Sequence, residues 1–253
     1  MGVTVVCYHG VSPTWPAETT VTPDSLERQL EWFAKRGYRS STLSEALGGP
    51  SGDERVLAIT FDDAHRSVLE AEPLLTRHGF VATVYAPTSY VDSGELMGWE
   101  GYDIWLDTPH EGELAPMSWD ELGGLRERGW EIGSHTHTHP KLTEVDDGRL
   151  AAELEESRAR CVERLGIEAP TLAYPYGLHD RRVRQAAADA GYTVAVSLPQ
   201  KPTAPLPLAW PRIGVFHDDT TRRLALRSWR YSRLAESGFA SRALERALAM
   251  RRS

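Results

Sequence analysis

Cysteine is scarce in this chain: two in 253 residues, Cys7 and Cys161, with no C-x-x-C pair. So thin a supply argues against a disulfide framework and for reduced thiols. Long apolar runs are also missing, and none reaches membrane-spanning length. The N-terminus, Met1-Gly2-Val3-Thr4-Val5-Val6-Cys7-Tyr8-His9, lacks a basic leader and a long apolar stretch. It reads as a first strand and not as a signal peptide, so a cytoplasmic enzyme is the expectation. No internal repeat and no low-complexity tract breaks the sequence. A general excess of positive charge is lacking too: the net charge is −8. Nine arginines against two acids after Thr220 give the tail about +7 and leave about −15 elsewhere. That asymmetry argues against nucleic acid as a partner. It marks residues 220–253 as a basic helical extension to a domain spanning 1–219. Such a helix either contacts anionic lipid peripherally or packs on the domain with its arginines solvated.

Apolar residues make up 41% and charged residues 25%, enough for one core of α/β barrel size. Apolar strands alternate with amphipathic helices, the pattern of βα repeats. Seven strands are predicted, near Val3–Tyr8, Val56–Phe61, Val81–Ala86, Trp130–Gly133, Thr171–Tyr174, Tyr192–Ser197 and Pro211–Val215. Helix starts are marked by Thr22-Pro23, by the capping box Ser118-Trp119-Asp120-Glu121 and by Asp180. A helix over Asp147–Leu165 has Leu150, Leu154, Cys161 and Leu165 on one face and Gly166 as its stop. Two segments interrupt the rhythm. Residues 88–117 form a long insertion with Trp99, Tyr102, Trp105 and His110, and 199–207 hold four prolines.

The chemistry is concentrated in three places. His135-Thr136-His137-Thr138-His139-Pro140 carries three imidazoles in five residues, hard to explain as packing and natural for a metal site. A helical turn would put His135 and His139 on one side, whereas an extended segment would align all three histidines. The first arrangement is preferred, with His137 turned elsewhere and a tris-histidine site as the alternative. Asp62-Asp63 follow the apolar run Val56–Phe61. Adjacent carboxylates diverge, so one can ligate a metal while the other faces substrate as a base; a turn or helix cap is the plainer role. Tyr174-Pro175-Tyr176-Gly177 is a rigid turn able to expose a backbone N–H, as an oxyanion hole requires. All three follow predicted strands, so in a barrel they would meet at one rim.

These segments resemble the polysaccharide deacetylases, the NodB-homology group also called carbohydrate esterase family 4. The resemblance rests on T-F-D-D (60–63), G-S-H-T-H-T-H-P (133–140) and A-Y-P-Y-G (173–177), in the family's order. It extends to Cys7-Tyr8-His9-Gly10-Val11 and Val21-Thr22-Pro23 and spans roughly residues 3–216. It implies a distorted (β/α) barrel of about seven strands and hydrolysis of an N-acetyl group on a sugar or glycan precursor. By resemblance Asp62 is the general base, Asp63, His135 and His139 ligate zinc or a similar divalent ion, and the Tyr176 N–H lies in the oxyanion hole. The ion would acidify its bound water and polarise the amide carbonyl.

Departures from the family pattern are specific. Where members often carry an arginine that orients the base, this chain has Ala173, and the acidic-aromatic fourth motif is not evident near Val196-Ser197. The leucine-x-histidine motif that supplies the general acid is only loosely echoed by Val215-Phe216-His217, so His217 is either that acid or a loop residue. Arg212, in Trp210-Pro211-Arg212-Ile213-Gly214-Val215, is the candidate to replace the missing arginine. A charge among apolar neighbours needs a partner, and a guanidinium grips a carboxylate in one geometry. The start of a strand normally lies away from the catalytic rim, which counts against it. Two other functions fit the same residues: an amidohydrolase acting on a non-sugar amide, and a carbohydrate-binding protein that has lost catalysis.

Overall fold

The computed structural model describes residues 3–48, 54–167 and 170–236. Among these residues nine short strands are interspersed with seven α-helices. They are β1 (Val3–Tyr8), α1 (Pro23–Ala34), β2 (Tyr38–Ser40), α2 (Leu43–Gly48), β3 (Arg55–Phe61), α3 (Glu72–Arg77), β4 (Ala82–Ala86), α4 (Trp119–Glu127) and β5 (Glu131–Ser134). There follow α5 (Asp147–Leu165), β6 (Leu172–Ala173), α6 (Arg181–Asp189), β7 (Ala195–Ser197), β8 (Trp210–Pro211), β9 (Ile213–Gly214) and α7 (Thr221–Glu236).

All strand pairs are parallel, in the order β8-β7-β6-β5-β4-β3-β1-β9, with β2 added beside β3. The two ends of that path, β8 and β9, are halves of one segment interrupted only at Arg212. One half pairs with β7 and the other with β1, so the sheet curls into a distorted barrel of seven strand positions. A parallel sheet covered by helices is buried on both faces and needs near-continuous apolar strands. β1 and β3 meet that need, with Val5, Val6, Leu57, Ala58 and Ile59 all buried. β2 and α2 carry no clear sequence signature: three residues are too few for an alternating pattern.

Helix boundaries follow local chemistry. Thr22 accepts a hydrogen bond from the Ser25 N–H ahead of Pro23, and Ser118 with Glu121 forms the full capping box of α4. Asp146 and Asp180 cap α5 and α6, and Gly166 ends α5 in the left-handed conformation. Leu26, Leu30 and Phe33 of α1 are fully buried against the barrel, each worth about 1.5–3 kcal/mol of apolar burial. The described part of the basic tail, α7, packs against α1, β1 and β9, with Leu224 buried. Residues 237–253 lie outside the described residues.

The barrel has a catalytic-type rim because parallel strands bring their C-terminal ends to one side. β1 ends just before His9, β3 before Asp62-Asp63, β5 before His135 and β6 before Tyr174-Pro175-Tyr176-Gly177. The 88–117 insertion, with short 3-10 turns at Asp103–Trp105 and Glu111–Leu114, builds a small aromatic cluster beside that rim. Tyr102 and Leu114 pack there with Trp15 and Ala17, flanked by Trp99 and Trp105. Among the described residues no helix is long and apolar enough to cross a membrane.

Candidate active site

Asp63, His135 and His139 converge. Both imidazole Nε2 atoms lie 3.3 Å from Asp63 Oδ1, and 3.2 Å from each other. Three donors at tetrahedral positions around an ion, with bonds of about 2.0 Å, would stand about 3.3 Å apart. The triangle therefore has the spacing a tetrahedral divalent ion requires. Asp63 Oδ1 is buried with no hydrogen-bond partner, an unanswered acceptor that such an ion would satisfy.

The surroundings fix each ligand atom. His135 Nδ1 lies 2.8 Å from the Ala173 carbonyl, which can only accept, so Nδ1 carries a proton and Nε2 is the ring nitrogen turned to the triangle. Trp99 stacks on the His139 ring at 3.9 Å between centroids. The Tyr102 hydroxyl donates to Asp63 Oδ2 over 2.9 Å and turns the other oxygen toward the histidines. His65 Nε2 stands 3.5 Å from the same Oδ2. Burial, reinforced by His135, pushes His139 down to about 4 and keeps it neutral. Burial alone would raise the Asp63 carboxyl, but the imidazoles of His135, His139 and His65 set against it hold it well below the ordinary range.

The histidine loop is held from below by α5. Glu153, almost fully buried, accepts hydrogen bonds from the backbone N–H groups of His137 and Thr138 and from the Thr138 hydroxyl. His137 turns away from the triangle, with Nδ1 3.0 Å from the Thr88 hydroxyl and Nε2 3.3 Å from Glu156.

Asp62 sits beside this triangle and is gripped by Arg212. Two bonds of 2.6 Å join the guanidinium to both carboxylate oxygens, a fork-to-fork pair with Arg212 fully buried. A third bond, of 3.0 Å, runs from the guanidinium to the Thr60 hydroxyl. Register explains how a residue from the start of a strand reaches the rim. Arg212 precedes Ile213, which pairs with Val6. Its long side chain climbs the barrel interior past Thr60 to Asp62. Burial would raise the Asp62 carboxyl, but Arg212, with His135 beside it, outweighs that and holds it at about 2. Ala173, at the position where the family often has arginine, contributes its carbonyl to His135 instead.

Tyr176 lies at the same rim, its ring 4.9 Å from that of His139. Its backbone is left-handed, φ 57°, an outlier for a bulky residue. Eight described non-glycine residues have positive φ; four of them, Asp63, Thr136, His139 and Tyr176, fall in the three motifs, and Ala64 directly follows the first. Strain gathered in this way marks a functional site more than a folding accident. Gly177 is obligatory here: at φ 69°, an added Cβ would lie 2.6 Å from the Leu198 nitrogen.

Four residues were missed by sequence reasoning. His9 follows β1 as Asp62 follows β3, and the Tyr8–Phe61 register sets the two side by side. Its Nδ1 is buried without a hydrogen-bond partner, and the strand-end position was the available signal. His217 Nδ1 is instead 3.0 Å from the Thr20 carbonyl. Tyr102 and Glu153 carried no usable signal, since each acts through a contact distant in sequence; His65 stands two residues from Asp63, folded back by a left-handed turn at Asp63 and Ala64 that local sequence does not announce.

A parallel α/β barrel with an Asp-His-His triangle and a buried Asp-Arg pair at its C-terminal rim is the class of protein that the fold and the site define. The family profile of polysaccharide deacetylases matches residues 49–195, more than half the chain, and the protein belongs to that family. A poly-beta-1,6-N-acetyl-D-glucosamine N-deacetylase of Staphylococcus aureus is 26% identical over 198 residues, covering 74% of this chain and 63% of the relative. This chain thus spans less than two-thirds of that protein's length. Among solved structures, the Streptococcus pyogenes deacetylase PplD, in complex with acetate, superposes with a TM-score of 0.74 at 20% identity, over 90% of this chain and 98% of that one. IcaB from Ammonifex degensii gives 0.73 at 22% identity, over 90% and 97%. Both likenesses concern the fold.

Proposed function

We propose that this chain is a metal-dependent hydrolase that removes the N-acetyl group from an N-acetylated sugar unit of a glycan. The observation that carries the reading is the Asp63–His135–His139 triangle, with its 3.2–3.3 Å spacing, beside a separately held carboxylate, Asp62. The name of the staphylococcal relative supports an N-acetylglucosamine polymer as the substrate class. Two imidazoles and one carboxylate at tetrahedral spacing suit zinc.

When bound, a divalent ion supplies Lewis-acid polarisation of an amide carbonyl and acidifies water at neutral pH. The chain's own residues do the rest. Asp62 accepts the proton of the attacking water, and Arg212 keeps its carboxylate ionised and in one orientation. The Tyr176 N–H donates to the oxyanion that develops on the former carbonyl oxygen. A histidine then protonates the departing amine. His9, beside Asp62 with a buried unanswered Nδ1, and His217, whose Nδ1 donates to the Thr20 carbonyl and leaves Nε2 free, are the two candidates for it. Trp99 and Tyr176, both against the His139 ring, offer flat apolar faces for a sugar ring.

The test is acetate release by the full chain from β-1,6-linked N-acetylglucosamine oligomers, from chitin oligomers and from simple non-sugar acetamides. Release from the sugar oligomers alone is the expected result. Hydrolysis of the acetamides without the oligomers would move the activity to a non-sugar amide. Oligomer binding without any acetate would make the chain a carbohydrate-binding protein.

A further inference from the structure

We propose that Cys7, His9 and Asp62 form a second, weaker site for thiophilic divalent cations, and that filling it shuts the enzyme down. The inhibitory consequence rests on reading Asp62 as the general base; the site itself rests on geometry. One ligand atom from each of the three residues lies within 4.8 Å of the other two. Cys7 Sγ is 3.4 Å from Asp62 Oδ2.

The arrangement follows from the strands. Cys7 and His9 are two residues apart on one edge of the barrel, so in extended backbone they project to the same side. β1 pairs with β3 in the register Cys7–Thr60 and Tyr8–Phe61, which brings Asp62 level with His9. The Asp62 N–H donates to the Tyr8 carbonyl over 2.9 Å and locks that level. His9 is partly exposed and gives the ion its way in, while Cys7 and Asp62 lie behind it, buried. The unpartnered Nδ1 of His9 is the free donor of the set.

Donor type decides which ions bind. Asp63, His135 and His139 offer nitrogen and oxygen only, whereas this set adds sulfur, which favours zinc, cadmium and cobalt over magnesium. Two features make it the weaker site. The Arg212 guanidinium already occupies Asp62, and Cys7 must give up its thiol proton. Burial pushes that thiol well above its ordinary value, so without an ion it stays protonated and inert. As the sulfur–metal bond forms, the proton leaves to solvent; no oxidant or reductant is involved. An ion on Asp62 Oδ2 withdraws the carboxylate from proton transfer and occupies His9 as well. Excess zinc should therefore inhibit, and excess magnesium should not.

Cobalt titration of the metal-free full chain tests this by absorption. The first equivalent should give weak visible bands with no thiolate signature. Further cobalt should add a near-ultraviolet thiolate-to-cobalt charge-transfer band. That band should vanish in Cys7→Ser and Cys7→Ala and persist in Cys161→Ser, which removes the only other thiol, buried on α5. Acetate release by the wild type should fall by about 10²-fold or more in the second phase, the scale of a lost general base. In Cys7→Ser it should hold at that variant's own one-equivalent value. No thiolate band at large cobalt excess, or a band surviving in both Cys7 variants, overturns the proposal. A thiolate band with the very first equivalent overturns the order of filling. Absence of the first, sulfur-free phase would instead count against Asp63, His135 and His139 as the resident site.

Discussion

Arg212→Met should cost about 3–5 kcal/mol of stability, because it strands a charge in the core. The guanidinium is fully buried and Asp62 is 2% exposed, so water cannot replace the lost partner. Holding the Asp62 carboxyl at about 2, against an ordinary 3.8, reflects a preference for the charged form of about 2–3 kcal/mol. Without Arg212 the burial that opposes ionisation prevails, and the folded-state value moves above the ordinary one. The pH dependence then reverses sign. In the wild type a depressed folded value means that this stabilisation is present above pH 4 and is lost as pH falls toward 2. In the variant, a raised folded value gives stabilisation at low pH that is lost as pH rises through it. The wild type–variant difference must therefore widen between about pH 3 and 7. Urea unfolding of the metal-free proteins across that range measures it. The double variant Asp62→Asn/Arg212→Met should lose less than Arg212→Met alone, since no charge is stranded. A cost below about 1 kcal/mol, a difference independent of pH, or no relief in the double variant would refute the argument.

The two aspartates should separate cleanly by assay. Asp62→Asn should lower kcat by about 10²–10⁴-fold while zinc affinity, followed by calorimetry, stays close to wild type. Asp63→Asn should weaken zinc binding first; equal losses of occupancy in both variants would contradict the division of labour. Tyr102→Phe removes the donor to Asp63 Oδ2 and should weaken zinc affinity by about 10–100-fold. An unchanged affinity would show that the insertion covers the ligands without orienting them.

Much of this fold was legible because apolar runs and caps are local signals. Thr22, Ser118 and Asp180 each cap the helix that follows them, and the seven strand positions of the barrel match seven apolar segments. Splitting of the last strand at Arg212 was not legible: it depends on one segment pairing with β7 at one end and β1 at the other. The convergence of Asp63, His135 and His139 could be anticipated because each follows a strand end. His9 obeys the same rule, yet it stands alone without a neighbouring acid or histidine to draw notice. Tyr102, His65 and Glu153 reach the site from an irregular insertion, a tight turn and a helix face. The contacts of Tyr102 and Glu153 are tertiary, and that of His65 depends on the left-handed turn at Asp63 and Ala64, so local sequence announces none of them. Arg212 was accessible through electrostatics, since a guanidinium between Pro211 and Ile213 demands a buried anion.

Acetate release measured against metal occupancy tests the central claim most directly. Metal-free full chain, given zinc in steps, should show no release from N-acetylglucosamine oligomers at zero occupancy and a linear rise to one ion per chain. Release that is already full in the metal-free protein, or none with one ion bound at Asp63, His135 and His139, would contradict the account.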